Sequence, residues 1–283
     1  MTPLSFTLVT FAISLAAGLL GSLLGLGGGI IVVPALTLLL RIDIRYAIGA
    51  SIVAVIATSS GAAAAYVRER MTNLRVAMLL EVATTSGAIC GALAAGRVGG
   101  RGLFITFGII MGYSAIAMLR KRGAPWTGAA GAADVPRDAW ADRLALHGAY
   151  FDEAMGRERA YRVTRTPLGL ALMYVAGVVS GLLGIGSGAL KVPAMDLAMG
   201  LPIKVSTATS NFMIGVTAAA SAGVYFARGD IDPFVAAPVA CGVLVGATAG
   251  ARLLGRIHGR VIRVIFVIVL LWVSLEMLLK GLR

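Results

Sequence analysis

The sequence predicts an all-α polytopic membrane protein made of two homologous repeats. Three observations lead there. Hydrophobic residues make up 58% of the 283-residue chain and charged ones only 13%, where soluble proteins carry about 25%. Residues 1–40 contain no ionisable side chain. A glycine-rich string near the N-terminus returns in the second half, and the halves align around it without a gap.

A helix that crosses a bilayer needs about 20 mainly apolar residues. Beyond the opening stretch, apolar windows run at 46–67, 76–96, 102–119, 166–190, 205–227, 233–251 and 264–279, and the charges inside them are Glu81 and Glu276 alone. The opening stretch is too long, and too poor in leading charge, for a cleaved signal peptide; it reads as a permanent span. The formal net charge of +12 comes from basic residues between spans, where positive loops are held on the cytoplasmic side. With no groove-entering motif in the chain, a nucleic-acid partner is not expected. Cys90 and Cys241 fall inside apolar windows and read as small buried hydrophobes rather than a disulfide or metal pair.

The string "GLGGGIIVVPAL" at Gly25 reappears as "GIGSGALKVPAM" at Gly184, an offset of 159 residues. In the same register Pro34 pairs with Pro193, Ser51 with Ser210, Thr58 with Thr217, Tyr66 with Tyr225, Arg97 with Arg256 and Phe107 with Phe266. The organisation that follows is a first repeat at 1–119, a polar connector at 120–165 and a second repeat at 166–283. Each repeat reads as a long span, a glycine break, a short apolar piece (30–40 or 189–201) and three further spans. The short piece, about 16–20 Å as helix, cannot cross a core of about 30 Å. That is the signature of a re-entrant or broken helix, tolerated only where it is buried in protein or lines a cavity.

The connector carries nine Lys/Arg and six Asp/Glu, with Trp126, Trp140, Tyr150 and Tyr161 among them. It reads as a cytoplasmic linker, either inert or engaged in partner binding or gating. With it inside, a parallel arrangement of the repeats leaves nine basic residues outside. An inverted one leaves seven (Arg41, Arg45, Arg97, Arg101, Arg228, Lys280, Arg283) and brings Arg68, Arg70, Arg75, Lys204, Arg252, Arg256, Arg260 and Arg263 inside. The positive-inside rule therefore favours inversion.

Glycine admits backbone conformations and close approaches barred to other residues. Pro34 and Pro193 each remove a donor and disfavour helix just before them. Together they interrupt both halves at the same place. An exposed half-helix N-terminus offers free N–H groups to an anion, and paired interruptions point to a transporter's binding site. Gly18, Gly21, Gly87, Gly91, Gly246 and Gly250 read instead as small residues for close helix packing. The stretch "KVSTATSNF" places Ser206, Thr207, Thr209, Ser210 and Asn211 in or at the mouth of a span; its counterpart "RYAIGASIV" offers only Ser51. Lys191 either supplies positive charge to a bound anion or snorkels to an interface. Asp196 either pairs with Lys191 or carries a coupling proton, and Glu81 is open to proton coupling or to structural pairing.

No enzyme is expected. Ile30 replaces the last glycine of a dinucleotide fingerprint, no P-loop lysine follows the glycines, and His147 and His258 lie outside the spans. No His/Cys/carboxylate cluster suggests a metal, and no cofactor is called for.

At "GLGGGIIVVPAL" and "GIGSGALKVPAMDLAMGLPIKVSTATSNFMIGVTAAASA" the chain resembles the TauE/SafE family, the sulfite exporter or toluene-sulfonate-uptake permeases. The resemblance covers both halves, and "HGAYFDEAMGRERAYRV" in the connector extends it. It implies secondary transport of small sulfur-containing anions such as sulfite, organosulfonate or thiosulfate across a bacterial inner membrane. It carries over Gly25, Gly27, Gly28, Gly29, Pro34, Gly184, Gly186, Gly188, Lys191, Pro193, Thr209, Ser210 and Asn211 as family-typical positions. Ser187 departs from the pattern, which usually has glycine there. The expected partners are a small anionic solute and the lipid bilayer, with a homodimer as one assembly open to the chain. Two other functions stay open: a channel-like facilitator of a small solute, and a membrane signalling or scaffold protein that transports nothing.

Overall fold

In lipid the backbone has only its own carbonyls to bond, so each long apolar stretch closes into a helix. The computed structural model describes residues 3–68, 71–120, 138–152, 155–254 and 256–282. Trp126, Arg70 and Arg283 lie outside the described residues. In chain order the elements are α1 Pro3–Leu24, α2 Gly29–Leu38, α3 Ile44–Arg68, α4 Leu74–Ala95 and α5 Gly100–Arg120. The connector contributes α6 Ala139–Arg143, β1 Gly148–Asp152 and β2 Arg157–Tyr161. There follow α7 Thr166–Leu183, α8 Gly188–Pro193 with a π-helical turn at Ala194–Ala198, α9 Ile203–Ala227, α10 Pro233–Leu254 and α11 Gly259–Leu282. Seven helices (α1, α3, α4, α5, α7, α10 and α11) are long and apolar enough to cross a membrane. Although 25 residues long, α9 falls outside that set because hydroxyls and Asn211 interrupt its apolar surface.

The first residues of α8, α9, α10 and α11 lie 159 positions after those of α2, α3, α4 and α5. Helix α1 packs along α10, and α7 along α4, each pair running in the same direction: Gly242 meets Phe11, Gly246 meets Leu15 and Gly250 meets Leu19. At Gly18, Gly91 and Gly246 an added Cβ would come within 2.0–2.3 Å of a carbonyl oxygen on the facing helix. Helices α5 and α11 run antiparallel, with Gly281 beside Ile105 and Gly108 beside Leu278 and Ser274. So do α3 and α9: Gly49 near the start of α3 meets Asp230 beyond the end of α9, while Asn73 beyond α3 donates its amide to Thr209 near the start of α9.

The outer faces carry large exposed apolar side chains such as Leu8, Val82, Ile109, Val175, Val245 and Ile268. A surface of that kind is made for lipid. Cys90 and Cys241 are free and belong to this exposed outer surface, which corrects the expectation that they are buried. Hydropathy marks a span but does not tell which side of it faces protein.

The connector is more structured than an all-α reading expects. Strands β1 and β2 form an antiparallel hairpin with Gly148 opposite Tyr161 and Asp152 opposite Arg157, and Gly156 (φ 61°) sits in the turn. Tyr150, Tyr161, Leu146, Val163 and Ala141 bury against Val76, Leu80, Met195, Met199 and Val205. The Lys204 ammonium meets Asp152 at 2.8 Å, both side chains nearly inaccessible. Asn73 caps α4 by accepting from the Val76 amide, and its own amide group donates to Leu146 O and the Tyr161 hydroxyl. The hairpin is thus docked on the end where α4, α7 and α9 begin.

Asp138 anchors α6 to α7. Its carboxylate accepts from the amides of Trp140, Ala141 and Thr166. Burial opposes its ionisation, yet these amides hold the carboxyl below the usual carboxylate range. A lowered folded pKa gives stability that is present above the unfolded value of about 3.9 and lost as pH falls through the folded value. We expect the Trp140, Ala141 and Thr166 amides to lose hydrogen-exchange protection in acid below that range, and Asp138→Asn to give the same loss at pH 7. Protection independent of both changes would remove Asp138 from this role.

Candidate functional site

The site forms where two hairpins meet end to end. Helix α1 stops at Leu24, and Gly25 (φ 70°) and Gly27 (φ 65°) turn the chain back into α2. Helix α7 stops at Leu183, and Gly184 (φ 65°) and Gly186 (φ 78°) do the same before α8. At Gly25 and Gly184 only glycine adopts such a backbone without penalty. Ser187, at φ 57°, bears that strain as a non-glycine, and its hydroxyl turns onto the neighbouring Gly186 carbonyl at 2.7 Å.

The two tips touch. A Cβ on Gly188 would lie 2.1 Å from Gly25 O, and one on Gly29 would lie 3.5 Å from Ile185 Cα. One hydroxyl ties each tip to the opposite half: Ser51 Oγ donates to Gly184 O at 2.8 Å, and Ser210 Oγ to Gly25 O at 2.7 Å. Asn211 Nδ2 adds a bond to Ser22 O at 2.6 Å. Neither α2 nor α8 receives a side-chain cap at its N-terminus. The first amides of a helix lack i−4 partners; those of Gly29, Ile31 and Leu190 turn onto the carbonyls of Gly27, Gly28 and Ser187, and the remaining first-turn amides of each start are the donors at the junction. Thr207, whose backbone faces Gly25, and Asn211 keep Oγ1 and Oδ1 buried beside them with no hydrogen-bond partner among the described residues, as does Ser206 Oγ, one turn before Ser210 on α9. Buried polar atoms left open in this way mark a place for water or a ligand.

The prolines act differently from expectation. Pro34 lies inside α2, and Pro193 ends α8 just before the π-helical turn, so the interruption is made by the glycines ahead of them. The wide turn after Pro193 is closed by the Met199 amide on Ala194 O.

Lys191 is fully buried, which rules out snorkelling. Its Nζ donates to Thr217 Oγ1 at 2.6 Å and faces Glu81 Oε2 at 3.4 Å. Thr217 Oγ1 contacts Glu81 Oε1 at 2.6 Å, and Thr84 and Thr85 also donate to that carboxylate. The expected pairing of Asp196 with Lys191 is corrected: Asp196 Oδ2 accepts from Arg263 Nη2 at 2.7 Å. The register places Val32 and Ala240 opposite Lys191 and Glu81, so the buried ion pair exists on one side of the molecule only. Sequence reasoning missed Thr217 as its third member. The signal was Thr58 and Thr217 at equivalent positions, but only the packing of α4 on α9 brings Thr217 to Glu81. Thr209 lies on the connector side of the junction, its Oγ1 accepting from the Asn73 amide at 3.1 Å.

The profile of the family described as Sulfite exporter TauE/SafE matches residues 10–277, nearly the whole chain. The chain belongs to the TauE/SafE family. A curated relative, the "Probable membrane transporter protein YunE" of Bacillus subtilis (strain 168), is 28% identical over 237 residues, covering 81% of each chain. No solved structure matches. As a TauE/SafE member with seven apolar spanning helices, the protein is a multi-pass membrane protein of a transporter family.

Proposed function

We propose that this TauE/SafE protein is a secondary transporter of small sulfur-containing anions, with sulfite, organosulfonate or thiosulfate as cargo. It works by alternating access between two inverted repeats in a bacterial cytoplasmic membrane. Inversion is supported by direction: α3 and α5 run antiparallel to α9 and α11, their counterparts 159 residues on. An axis in the membrane plane relates helices in this way. The connector binds Arg75 and Lys204 at one end, and the positive-inside rule assigns that end to the cytoplasm.

The observation that carries the anion reading is the reciprocal meeting of two uncapped helix starts, tied by Ser51 and Ser210, beside open buried hydroxyls. Helix N-termini favour negative charge. We assign the binding site to Gly25, Gly27, Gly28, Gly29 and Ser51 from one side. Gly184, Gly186, Ser187, Gly188, Ser206, Ser210 and Asn211 form the other. Lys191, on α8 itself, contributes its charge from behind the junction, and Glu81, which it holds, is the coupling group. The family's description as sulfite exporters favours the same cargo.

A thermal-shift screen of the purified protein tests this. A ligand at 100 times its Kd adds about 2.7 kcal/mol of stability. Sulfite, thiosulfate or an organosulfonate is expected to raise Tm, and carboxylates of the same charge to raise it less. No shift with any sulfur anion would contradict the reading.

A further inference from the structure

The end of the molecule opposite the connector holds a cavity of about 260 Å³, lined by Arg45, Ile48, Gly96, Tyr225, Arg228 and Asp230 among others. Its inner wall is the second hairpin tip. Ile48 packs on Gly184, where an added Cβ would lie 2.5 Å from Ile48 Cγ2, and Tyr225 OH donates to Gly181 O at 2.7 Å and Leu182 O at 3.1 Å. A solute in this cavity is therefore next to the junction assigned above.

The two arginines differ. Arg228 is fixed: its Nη2 lies 2.7 Å from Asp230, its Nη1 donates to Ala92 O at 2.8 Å, and its guanidinium sits 4.3 Å over the Tyr225 ring. Asp230 offsets its charge. Arg45 is exposed, and its guanidinium has no hydrogen bond or ion pair among the described residues; only its backbone amide is used, by Asp43. The cavity thus carries at its mouth one cation with no ion-pair partner among the described residues. A cavity of about 260 Å³ accommodates a small hydrated oxyanion.

Among the described residues the opposite end differs. The position 159 residues after Arg45 is Lys204, whose ammonium is buried and bound to Asp152 of the docked hairpin. One cation is open to solvent; its counterpart is neutralised and covered.

We propose that the Arg45 cavity is a capture site for small oxyanions, through which the anion reaches the hairpin junction from the side away from the connector. The inference rests on the anion-transport reading and adds the route and the recognising residue. The free guanidinium gives the incoming anion a bidentate donor fork. Arg228, pinned over Tyr225, forms the wall.

The test uses the full-length protein, with sulfite and thiosulfate as probes, measuring Kd by thermal-shift titration and flux in proteoliposomes. Arg45→Gln is expected to weaken the Kd and raise KM about 3–10-fold while leaving the saturated rate near wild type. Arg45→Lys should recover most of the affinity, and the Arg45→Gln defect should shrink at high ionic strength. Unchanged Kd and KM in Arg45→Gln, with wild-type binding intact, would overturn the capture site and leave the transport reading standing. A lost saturated rate at unchanged KM would also overturn it, since that is a gating effect. Wild-type protein that neither binds nor moves either anion would remove both.

Discussion

Gly188→Ala is expected to disable the protein, although it adds a single methyl group. The new Cβ would lie 2.1 Å from Gly25 O and 2.6 Å from Leu26 Cα. Both are backbone atoms, so no rotamer change relieves the contact and the tips must separate. Overpacking of this kind costs about 1–3 kcal/mol, and parting the tips also strains the Ser210–Gly25 bond. A 1 Å misplacement costs an enzyme site about 100-fold, and a loss of that order in anion flux is expected here. Gly223→Ala is the control. Its Cβ meets nothing within 4 Å, and in a helix interior alanine is favoured over glycine by about 0.5–1 kcal/mol. Equal Tm and flux in the two variants would mean that the tips are not closely apposed.

The second large effect concerns the buried pair. Removing one partner strands the other charge inside the membrane, so Lys191→Met and Glu81→Gln are each expected to cost about 3–5 kcal/mol. The double change Lys191→Met with Glu81→Leu is expected to recover most of that loss, because Val32 and Ala240 occupy the equivalent positions on the other side. If Glu81 is the coupling group, the recovered double variant folds but no longer responds to a pH gradient. Thermal denaturation of the three variants decides the first point. A single variant within about 1 kcal/mol of wild type would mean that the pair is not formed as described.

The membrane character was legible because 40 residues without an ionisable side chain leave a soluble fold little to put on its surface. The family was legible because the glycine–proline strings are specific. Partnerships were less so. Lys191 was readable as an unusual charge, but its partner sits 110 residues away on α4, and nothing in periodicity joins the two. Asp196, five residues from Lys191, was the nearer candidate; the π-helical turn after Pro193 gives it to Arg263 instead. The connector hides a hairpin because Tyr150 and Asp152 alternate with exposed Ala149 and Phe151 amid many charges, which masks a five-residue strand. Arg45 and Arg228 were counted only as loop charges; the cavity between them needs the antiparallel packing of α3 and α9.

The proposed anion site lies where the two hairpin tips meet. Flux of labelled sulfite and thiosulfate into proteoliposomes, comparing wild type with a Ser51→Ala/Ser210→Ala variant checked for folding, tests it most directly. Saturable wild-type flux that falls sharply when both ties are cut is expected. Flux that is unsaturable, or unchanged in the double variant, would contradict it.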